Sequence, residues 1–166
     1  FITIQNRKMD TDYLTGVYNR KKLESYLKYK ISSSTEQKTF SAILIDLNNF
    51  KAINDTYGHD MGDNALETSV ALLRSCLRSD DFIARYGGDE FYIILNISDY
   101  ADLEQMVARI HCSLETYNAN PSKSYSLGFS MGYAVYDFHS QMKADEFQKQ
   151  VDLLMYEDKR SNKSIS

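Results

Sequence analysis

The segment at residues 126–135 alternates by side-chain size, and this alternation constrains the fold more than any other feature of the sequence. One face carries only small residues and the other carries large ones: Ser126, Gly128, Ser130, Gly132 and Ala134 against Leu127, Phe129, Met131, Tyr133 and Val135. A period of two residues is typical of a β-strand, whose successive side chains point to opposite faces of the sheet. A face of small side chains lets a second backbone or a helix approach closely. The pattern therefore predicts a strand that is packed tightly on one side.

Apolar periodicity elsewhere predicts four helices and three more strands. Asn19 can cap a helix that runs to about Ile31, and the polar residues 32–36 then form a loop. The other predicted elements are a buried strand at 40–45, a helix at 65–77, a hairpin of strands 82–86 and 91–95 around Gly87-Gly88, an amphipathic helix at 103–117, and a last helix with Phe147, Val151, Leu154 and Met155 on one side. This order predicts an α+β fold with one sheet and helices packed on it.

Composition restricts the class of protein. The chain has 166 residues, a net charge of −4, 43% hydrophobic residues and 25% charged residues, which fits one globular domain. The acidic balance argues against a DNA partner, and without an apolar run of about 18 residues we expect no direct membrane contact from this segment. The two cysteines, Cys76 and Cys112, lack CxxC spacing, so we expect a reducing, cytoplasmic location. Because the chain begins at Phe1, we expect a fragment of a longer protein, which could be membrane-tethered elsewhere.

Acidic residues follow a strand and a turn at two places in the sequence. Asp46 ends the predicted strand at 40–45, and Asp89 and Glu90 follow the glycine pair of the hairpin. Taken singly, such residues are most often loop residues, helix caps or solvated turns. Taken together, their hard oxygen atoms suit Mg²⁺, and such an arrangement serves metal-assisted phosphoryl or nucleotidyl transfer. Adjacent strand residues point to opposite faces, so Asp89 and Glu90 can share a metal only if the turn bends there.

The motif RYGGDEF at residues 85–91 resembles the signature of the GGDEF family of diguanylate cyclases. Five more segments match motifs of that family in the same order: DYLTGVYNR at 12–20, DLNNFKAIND at 46–55, YGHDMGD at 57–63, SMGYA at 130–134 and DLLMYEDK at 152–159. The resemblance covers nearly the whole chain. It implies a mostly antiparallel sheet flanked by helices, as in ferredoxin-like and polymerase-palm domains. It also implies that residues 11–166 form the GGDEF domain and that residues 1–10 end a linker from a missing upstream domain.

The resemblance implies an enzyme that condenses two GTP molecules into cyclic di-GMP with release of two pyrophosphates. Each of two facing domains would hold one GTP, so turnover would need a homodimer. A Mg²⁺ (or Mn²⁺) cofactor would be held by the carboxylates of Asp46, Asp89 and Glu90 and by the backbone carbonyl of Leu47. Asp89 and Glu90 are the implied catalytic pair, and Asp89 would help to deprotonate the attacking 3′-hydroxyl group.

Seven residues match substrate-binding positions of the family: Phe50, Lys51, Asn54, His59, Asp63, Lys159 and Lys163. The first two open a helix whose free N–H groups would bind phosphates. Asn54 and Asp63 match the guanine-reading positions. His59 matches a position in the base pocket, although a lone histidine can equally be structural. The two lysines would hold the terminal phosphates from the last helix.

Arg78 and Asp81 form an RxxD pattern, and five residues separate it from Gly87. The family has this spacing at an inhibitory site for its product, cyclic di-GMP, and Arg109 falls where the family often has a second arginine. A planar guanidinium group suits such a site because it can stack on a guanine and also bond its edge. The alternative is an ordinary surface ion pair, which contributes under ~1 kcal/mol and binds nothing.

The chain departs from the family pattern at four positions. Asn48 and Asn49 stand where many members have Asp and His, and Asp158 and Lys163 replace the more usual Ala and Arg. A lysine gives up the bidentate grip of arginine on a phosphate. Two alternatives to an active GTP cyclase remain: a catalytically weak or inactive module that binds cyclic di-GMP or GTP, and a cyclase that also accepts ATP, against which Asp63 argues.

Overall fold

The structure, a computed structural model, describes residues 9–165, with side chains through residue 163. The predicted linker at residues 1–10 therefore lies largely outside the described residues. From Arg20 onward the elements are α1 (Arg20–Ser33), β1 (Ser41–Leu47), α2 (Phe50–Tyr57), α3 (His59–Cys76), β2 (Phe82–Arg85), β3 (Glu90–Leu95), α4 (Tyr100–Ala119), β4 (Phe129–Val135), a 3-10 helix (Phe138–Ser140) and α5 (Ala144–Ile165). Within residues 9–165, no helix has both the length and the apolar character needed to cross a membrane.

The strands form one antiparallel sheet in the order β2-β3-β1-β4, which confirms the predicted α+β fold. β1 lies inside the sheet and is buried along all 7 of its residues. The predicted hairpin is present, since β2 and β3 pair on either side of the glycine turn. The register puts Glu90 of β3 and Ser130 of β4 directly opposite Asp46 of β1. The sheet therefore brings the strand-end aspartate beside the acidic turn.

Helices cover both faces of the sheet, and alternate residues of β1 belong to different cores. Ile43 and Ile45 pack in the core that β1 shares with α3 and α4. Ala42 and Leu44 pack in the core that β1 shares with α1 and α5. A strand that is buried on both faces has a continuous apolar sequence rather than an alternating one. This burial explains the uninterrupted apolar run that precedes Asp46.

The small-residue face of β4 lies under α5, as its size alternation predicts. A Cβ atom at Gly132 would overlap the backbone of Val151 and Met155, so only glycine permits this close approach. The buried side of α5 is formed by Phe147, Val151 and Met155. Leu154, which we expected on the same side, is instead exposed. The buried positions follow one another at the spacing of about one helical turn, and Leu154 is out of phase with them.

Two boundaries differ from the sequence prediction. α1 continues to Ser33, two residues into the predicted loop. The predicted cap at its start is confirmed, because Asn19 accepts a hydrogen bond from the N–H of Lys22 at 2.9 Å. The helix predicted at 65–77 begins earlier, at His59, and follows α2 after a sharp turn at Gly58. Gly58 has a φ of 93°, a backbone conformation that residues other than glycine rarely adopt. The two helices therefore meet at a corner that a glycine makes possible.

Groups from outside the sheet contact both of its edges. At the β2 edge, the N–H of Tyr18 donates to the carbonyl oxygen of Ile83 at 3.1 Å, and the N–H of Arg85 donates to the carbonyl oxygen of Tyr18 at 2.8 Å. At the β4 edge, the N–H of Met131 donates to Oδ2 of Asp158 at 2.8 Å. Asp158, a departure from the family pattern, therefore has a structural partner on the sheet.

Candidate active site

Asp46 is a buried carboxylate near the end of β1. Only 3% of the residue is exposed. Its Oδ2 accepts a hydrogen bond from Nζ of Lys159 on α5 at 2.6 Å. Its other oxygen, Oδ1, is buried and has no hydrogen-bond partner among the described residues. Because a buried charge needs donors or cations around it, Asp46 is a half-satisfied anion with one paired oxygen and one unpaired oxygen.

The acidic turn lies against the end of β1. The N–H of Leu47 donates to the carbonyl oxygen of Asp89 at 3.0 Å, and the N–H of Tyr86 donates to the carbonyl oxygen of Glu90 at 2.8 Å. Asp89 belongs to the bend, whereas Glu90 is the first residue of β3. The chain therefore bends at this pair of acids, which is the condition under which both can serve one ligand.

Negative charge is concentrated at this site. Burial raises the pKa of Asp89, and the charge of Asp46 raises it further. Burial also raises the pKa of Glu90, as do the charges of Asp46 and Asp89. The hydrogen bond that Lys159 donates to Asp46 raises the pKa of the lysine above its usual value. A cation relieves such a concentration of charge, and the chain itself places the cation of Lys159 against Asp46.

A cavity of about 800 Å³ opens beside these residues, a size within the range of small-molecule sites. Four residues of the predicted site line it: Asp46, Glu90, Lys159 and Lys163. Lys149 and Arg160 also line it, although the sequence analysis did not identify them. They are about three helical turns apart on α5, and this spacing is the signal that could have found them. The last helix also contributes an acidic residue, Asp152, to the lining. The cavity therefore combines acidic groups from the sheet and from α5 with four cationic groups on α5.

The chemistry of these residues fits a divalent cation. Asp46, Asp89 and Glu90 supply carboxylate oxygens, which Mg²⁺ and Mn²⁺ prefer. The unpaired Oδ1 of Asp46 is a buried acceptor of the kind that a metal ion satisfies. In the part of the chain that the structure describes, no three acidic, histidine or cysteine side chains already form a metal-binding group. The cation next to Asp46 is instead the ammonium group of Lys159.

α2 begins directly after β1, and its first turn carries the predicted phosphate-binding residues. Asn49 precedes the helix with a φ of 61°, a left-handed conformation that asparagine tolerates better than most residues. Its side chain makes no capping hydrogen bond. The first N–H groups of a helix have no acceptor within the helix. The N–H groups of Phe50 and Lys51 therefore lie at a helix N-terminus, as the resemblance implied.

A chain of hydrogen bonds connects Asn48, which lies between β1 and α2, to α5. Nδ2 of Asn162 donates to Oγ of Ser130 at 3.0 Å, and the hydroxyl of Ser130 donates to Oδ1 of Asn48 at 2.7 Å. The N–H of Asn48 also donates to the carbonyl oxygen of Gly128 at 2.7 Å. Asn48, another departure from the family pattern, therefore keeps the end of β1 bonded to the neighbouring strand.

The predicted guanine readers meet at the corner between α2 and α3. Gly62 lies so close to Asn54 that a Cβ atom there would overlap the side-chain amide of Asn54. Asp63 follows Gly62 directly and is exposed, and His59 is exposed at the start of α3. The structure thus brings Asn54, His59 and Asp63 to one corner. They are not among the residues that line the cavity of about 800 Å³.

Arg85 of the RYGGDEF motif supports the acidic turn. Its Nη2 donates to the carbonyl oxygen of Gly88 at 2.7 Å, and its Nη1 pairs with Oδ1 of Asp12 at 3.2 Å. The hydroxyl of Thr15 donates to Asp12 at 2.7 Å. Burial raises the pKa of Asp12, but the hydrogen bonds from Thr15 and the charge of Arg85 outweigh burial and hold this pKa below its usual value. The DYLTGVYNR segment is therefore joined to the turn by charge-assisted hydrogen bonds.

Arg78 and Asp81 line a second cavity, of about 700 Å³, together with Arg74. Oδ2 of Asp81 accepts a hydrogen bond from the backbone N–H of Arg78 at 2.8 Å. Arg109 lines a different cavity, of about 540 Å³, and its Nη1 donates to the carbonyl oxygen of Cys76 at 3.4 Å. The structure thus brings Arg78 and Asp81 together but not Arg109. Arg74, which the sequence analysis did not identify, precedes Arg78 by about one helical turn, and this spacing could have revealed it.

Comparison with known proteins agrees with this geometry. Residues 9–164 match the family model described as diguanylate cyclase, GGDEF domain, and the chain therefore belongs to the GGDEF-domain family. It is 34% identical over 155 residues to the probable diguanylate cyclase DgcC of Escherichia coli K12, across 92% of this chain and 41% of that protein. It is 33% identical over 172 residues to diguanylate cyclase A of Treponema denticola, across 98% of this chain and 46% of that protein. The chain thus spans less than half the length of these relatives.

Solved structures share the fold. The GGDEF domain of PA1120 (TpbB or YfiN) from Pseudomonas aeruginosa superposes with a TM-score of 0.82 at 30% identity, across 91% of this chain and 89% of that one. A microbial GGDEF domain, whose structure concerns its interaction with cyclic di-GMP, superposes with a TM-score of 0.76 at 29% identity, across 92% of this chain and 94% of that one. These likenesses confirm the antiparallel sheet flanked by helices that the sequence predicts.

Proposed function

We propose that this chain is the catalytic domain of a diguanylate cyclase, which condenses two GTP molecules into cyclic di-GMP and two pyrophosphates. The observation that carries the proposal is the cavity of about 800 Å³, where Asp46 and Glu90 share one space with Lys159 and Lys163. Carboxylates suit a divalent metal and lysines suit phosphates, so this cavity offers partners for both parts of a metal–triphosphate complex. Membership of the family and similarity to cyclases support the same activity.

Cations and backbone amides orient the triphosphate in this proposal. Lys159 and Lys163 bind its terminal phosphates from α5. The N–H groups of Phe50 and Lys51 bind phosphate oxygens at the N-terminus of α2, where the helix dipole also favours negative charge. The two groups of donors lie on different elements, so they hold the triphosphate at two places and restrict its rotation.

The corner between α2 and α3 selects guanine. The carboxylate of Asp63 accepts hydrogen bonds from guanine N1–H and N2–H₂, and adenine offers neither donor group to that position. Asn54 binds the base from α2, and His59 borders the base from the start of α3. A site built to bond a group rejects an analogue that lacks it, because its own polar groups are left unpaired.

The reaction joins two nucleotides through two equivalent steps. In each step the 3′-oxygen of one GTP forms a bond to the α-phosphorus of the other, and the bond from that phosphorus to pyrophosphate breaks. The carboxylate of Asp89 accepts the proton of the 3′-hydroxyl group. A divalent metal held by Asp46, Asp89, Glu90 and the carbonyl oxygen of Leu47 would neutralise the charge that develops on the phosphate.

The proposal includes a domain organisation and an assembly. Residues 11–166 form the GGDEF domain, and residues 1–10 end a linker from an upstream domain. Each domain holds one GTP, so two copies face each other during turnover as a homodimer. The use of GTP as substrate places the reaction in the cytoplasm.

The direct test is incubation of the purified chain with GTP and Mg²⁺, followed by chromatographic separation of the nucleotides. We expect cyclic di-GMP and pyrophosphate in a ratio of one to two and little product from ATP. Asp46→Asn, which keeps the shape of the side chain but removes its charge, is expected to abolish synthesis. A folded chain that binds GTP but forms no cyclic di-GMP at any protein concentration would refute the cyclase and favour a binding module.

A second function, binding of the product, is favoured by the cavity of about 700 Å³. Arg74 and Arg78 offer two guanidinium groups for stacking on guanines, and Asp81 offers an acceptor for a base edge. A similar GGDEF domain is described with cyclic di-GMP. We propose that cyclic di-GMP binds here and inhibits turnover. Calorimetric titration of the chain with cyclic di-GMP tests the proposal, and absence of binding at tens of micromolar would leave Arg78 and Asp81 with only the local hydrogen bond between them.

A further inference from the structure

Lys159 balances the charge of Asp46, one of the residues that would hold a metal ion. Its Nζ lies 2.6 Å from Oδ2 of Asp46, whose side chain is only 4% exposed. The side chain of Lys159 is 38% exposed, so its ammonium group reaches into the site from the solvent-facing wall of α5. The carboxylate is fixed inside the sheet, whereas the lysine is on a long and partly solvated side chain. Of the two partners, Lys159 is therefore the one that can move.

A metal ion that arrives alone meets an unfavourable arrangement. If it displaces the ammonium group from Oδ2, Lys159 loses its hydrogen bond to Asp46 and keeps only the weaker attraction of Asp89 and Glu90. If it binds only the unpaired Oδ1, it lies within a few ångströms of a positive charge. Taking the partner away from a buried carboxylate is costly, and two cations beside one carboxylate repel each other. Free metal is therefore expected to bind weakly.

A metal ion that arrives with a triphosphate meets a favourable arrangement. Lys159 and Asp46 line the same cavity, so a phosphate in that cavity offers the displaced ammonium group a new anionic partner. The pair between Asp46 and Lys159 is then exchanged for one between Asp46 and the metal and one between Lys159 and a phosphate. Both charges of the original pair therefore keep a partner.

We propose that Lys159 is an internal substitute for the metal, which makes the site select a metal–triphosphate complex over the free metal ion. The inference rests on the proposed function, because it assigns the cavity to a nucleotide. It adds that metal and nucleotide bind with positive coupling, and such coupling acts equally on both ligands.

The test is a titration of the purified chain with Mn²⁺ alone, followed by electron paramagnetic resonance of the free ion. Lys159→Met is expected to bind Mn²⁺ at least tenfold more tightly than the wild type. Lys149→Met is the matched control, since it makes the same substitution on the same helix and in the same cavity, but at a lysine that does not pair with Asp46. Its Mn²⁺ affinity is expected to stay within about threefold of the wild type. Equal affinities in the wild type and Lys159→Met, or an equal gain in Lys149→Met, would overturn the inference.

Two further measurements keep the test decisive if Lys159→Met folds poorly. Lys159→Arg keeps the positive charge and is expected to keep the weak Mn²⁺ affinity of the wild type. In the wild type itself, α,β-methylene-GTP is expected to raise Mn²⁺ affinity at least tenfold, and no rise would contradict the inference. Neither readout depends on turnover. A chain that makes no cyclic di-GMP would therefore refute the proposed function, whereas an active enzyme without this coupling would refute the inference alone.

Discussion

At the scale of single residues, the proposed base-binding corner between α2 and α3 depends on a residue without a side chain. Gly62 leaves the space that the amide of Asn54 occupies, and it directly precedes Asp63. Any side chain at position 62 must push Asn54 away from its present place or move the first turn of α3. The geometry of two proposed guanine contacts is therefore linked through one glycine.

We expect Gly62→Ala to raise the KM for GTP by roughly tenfold, with a smaller change in kcat, because about one hydrogen bond to the base is lost. Steady-state kinetics at fixed Mg²⁺ measures both constants. The control is the same substitution in an Asn54→Ala background, where it should add little because the two residues act through one contact. Equal effects in both backgrounds would show that Gly62 acts elsewhere.

Asp12 is expected to make the free energy of unfolding depend on pH in the acidic range. Its folded pKa lies below the ordinary value of 3.8, so its stabilisation is complete above that value and is lost as the pH falls through the lower folded pKa. We expect Asp12→Asn to reduce the free energy of unfolding at pH 7 by about 1–2 kcal/mol, and this difference to shrink as the pH falls below 3.8. Urea denaturation at several pH values measures it. Glu115→Gln, an exposed carboxyl on α4, serves as the control, and a difference that persists unchanged in acid would contradict the assignment.

At the scale of elements, α5 illustrates what a sequence pattern can predict. Periodicity predicts the helix and the burial of Phe147, Val151 and Met155, because these positions recur at helical spacing. The pairing of Lys159 with Asp46 could not be read in the same way, since it depends on how α5 crosses the sheet. Sequence motifs predict which residues carry the chemistry, whereas tertiary packing decides which of them form pairs in the absence of a ligand.

The second cavity illustrates the same limit for a site. The RxxD motif predicts that Arg78 and Asp81 belong together, and they do line one cavity. The motif does not predict Arg74 beside them, because that depends on the last turns of α3 packing near the first segment of the chain. Arg109 was predicted to join this site because it occupies a family position. It lines a different cavity, since a position in the sequence does not specify which cavity a long side chain enters.

The contact between β4 and α5 gives a prediction about stability. Gly132→Ala is expected to lower the free energy of unfolding by at least about 3 kcal/mol, because the new methyl group overlaps helix backbone that cannot move aside. Gly128→Ala is the control. Its methyl group would meet side-chain atoms of Asn48 at 3.3 Å, which can shift, so we expect a loss below about 1 kcal/mol. Thermal or urea unfolding measures both variants, and similar losses would show that the approach of α5 is not what requires Gly132.

At the scale of the whole molecule, the proposed reaction between two domains makes activity depend on how often two copies of the chain meet. Each copy is proposed to hold a single GTP, so no copy can complete the product alone. We expect cyclic di-GMP synthesis per mole of protein to rise with protein concentration in the micromolar range. Product formation at several dilutions, with saturating GTP and Mg²⁺, measures this dependence. A specific activity that stays constant on dilution would indicate a stable dimer or a different reaction.

The two cavities give a prediction about feedback, because no residue lines both of them. Cyclic di-GMP bound beside Arg78 would therefore make no contact with Asp46 and Glu90, the proposed metal ligands that line the other cavity. We expect Arg78→Ala to abolish binding in calorimetry and to relieve inhibition, and Arg74→Ala to weaken binding by roughly tenfold, as loss of one charge-assisted contact implies. Arg109→Ala is the comparison. If it weakens cyclic di-GMP binding more than Arg74→Ala does, then Arg109, and not Arg74, is the second arginine of the site.

The contacts at the sheet edges determine how two copies can assemble. An open strand edge is a template on which another chain can add a strand. Here Tyr18 occupies the edge at β2, and the carboxylate of Asp158 is bonded to the edge at β4. If two copies meet for catalysis, as proposed, we therefore expect them to do so through helix and loop surfaces rather than by extending one continuous sheet. Separating such surfaces breaks no hydrogen bonds between strands, so we expect the association to be reversible.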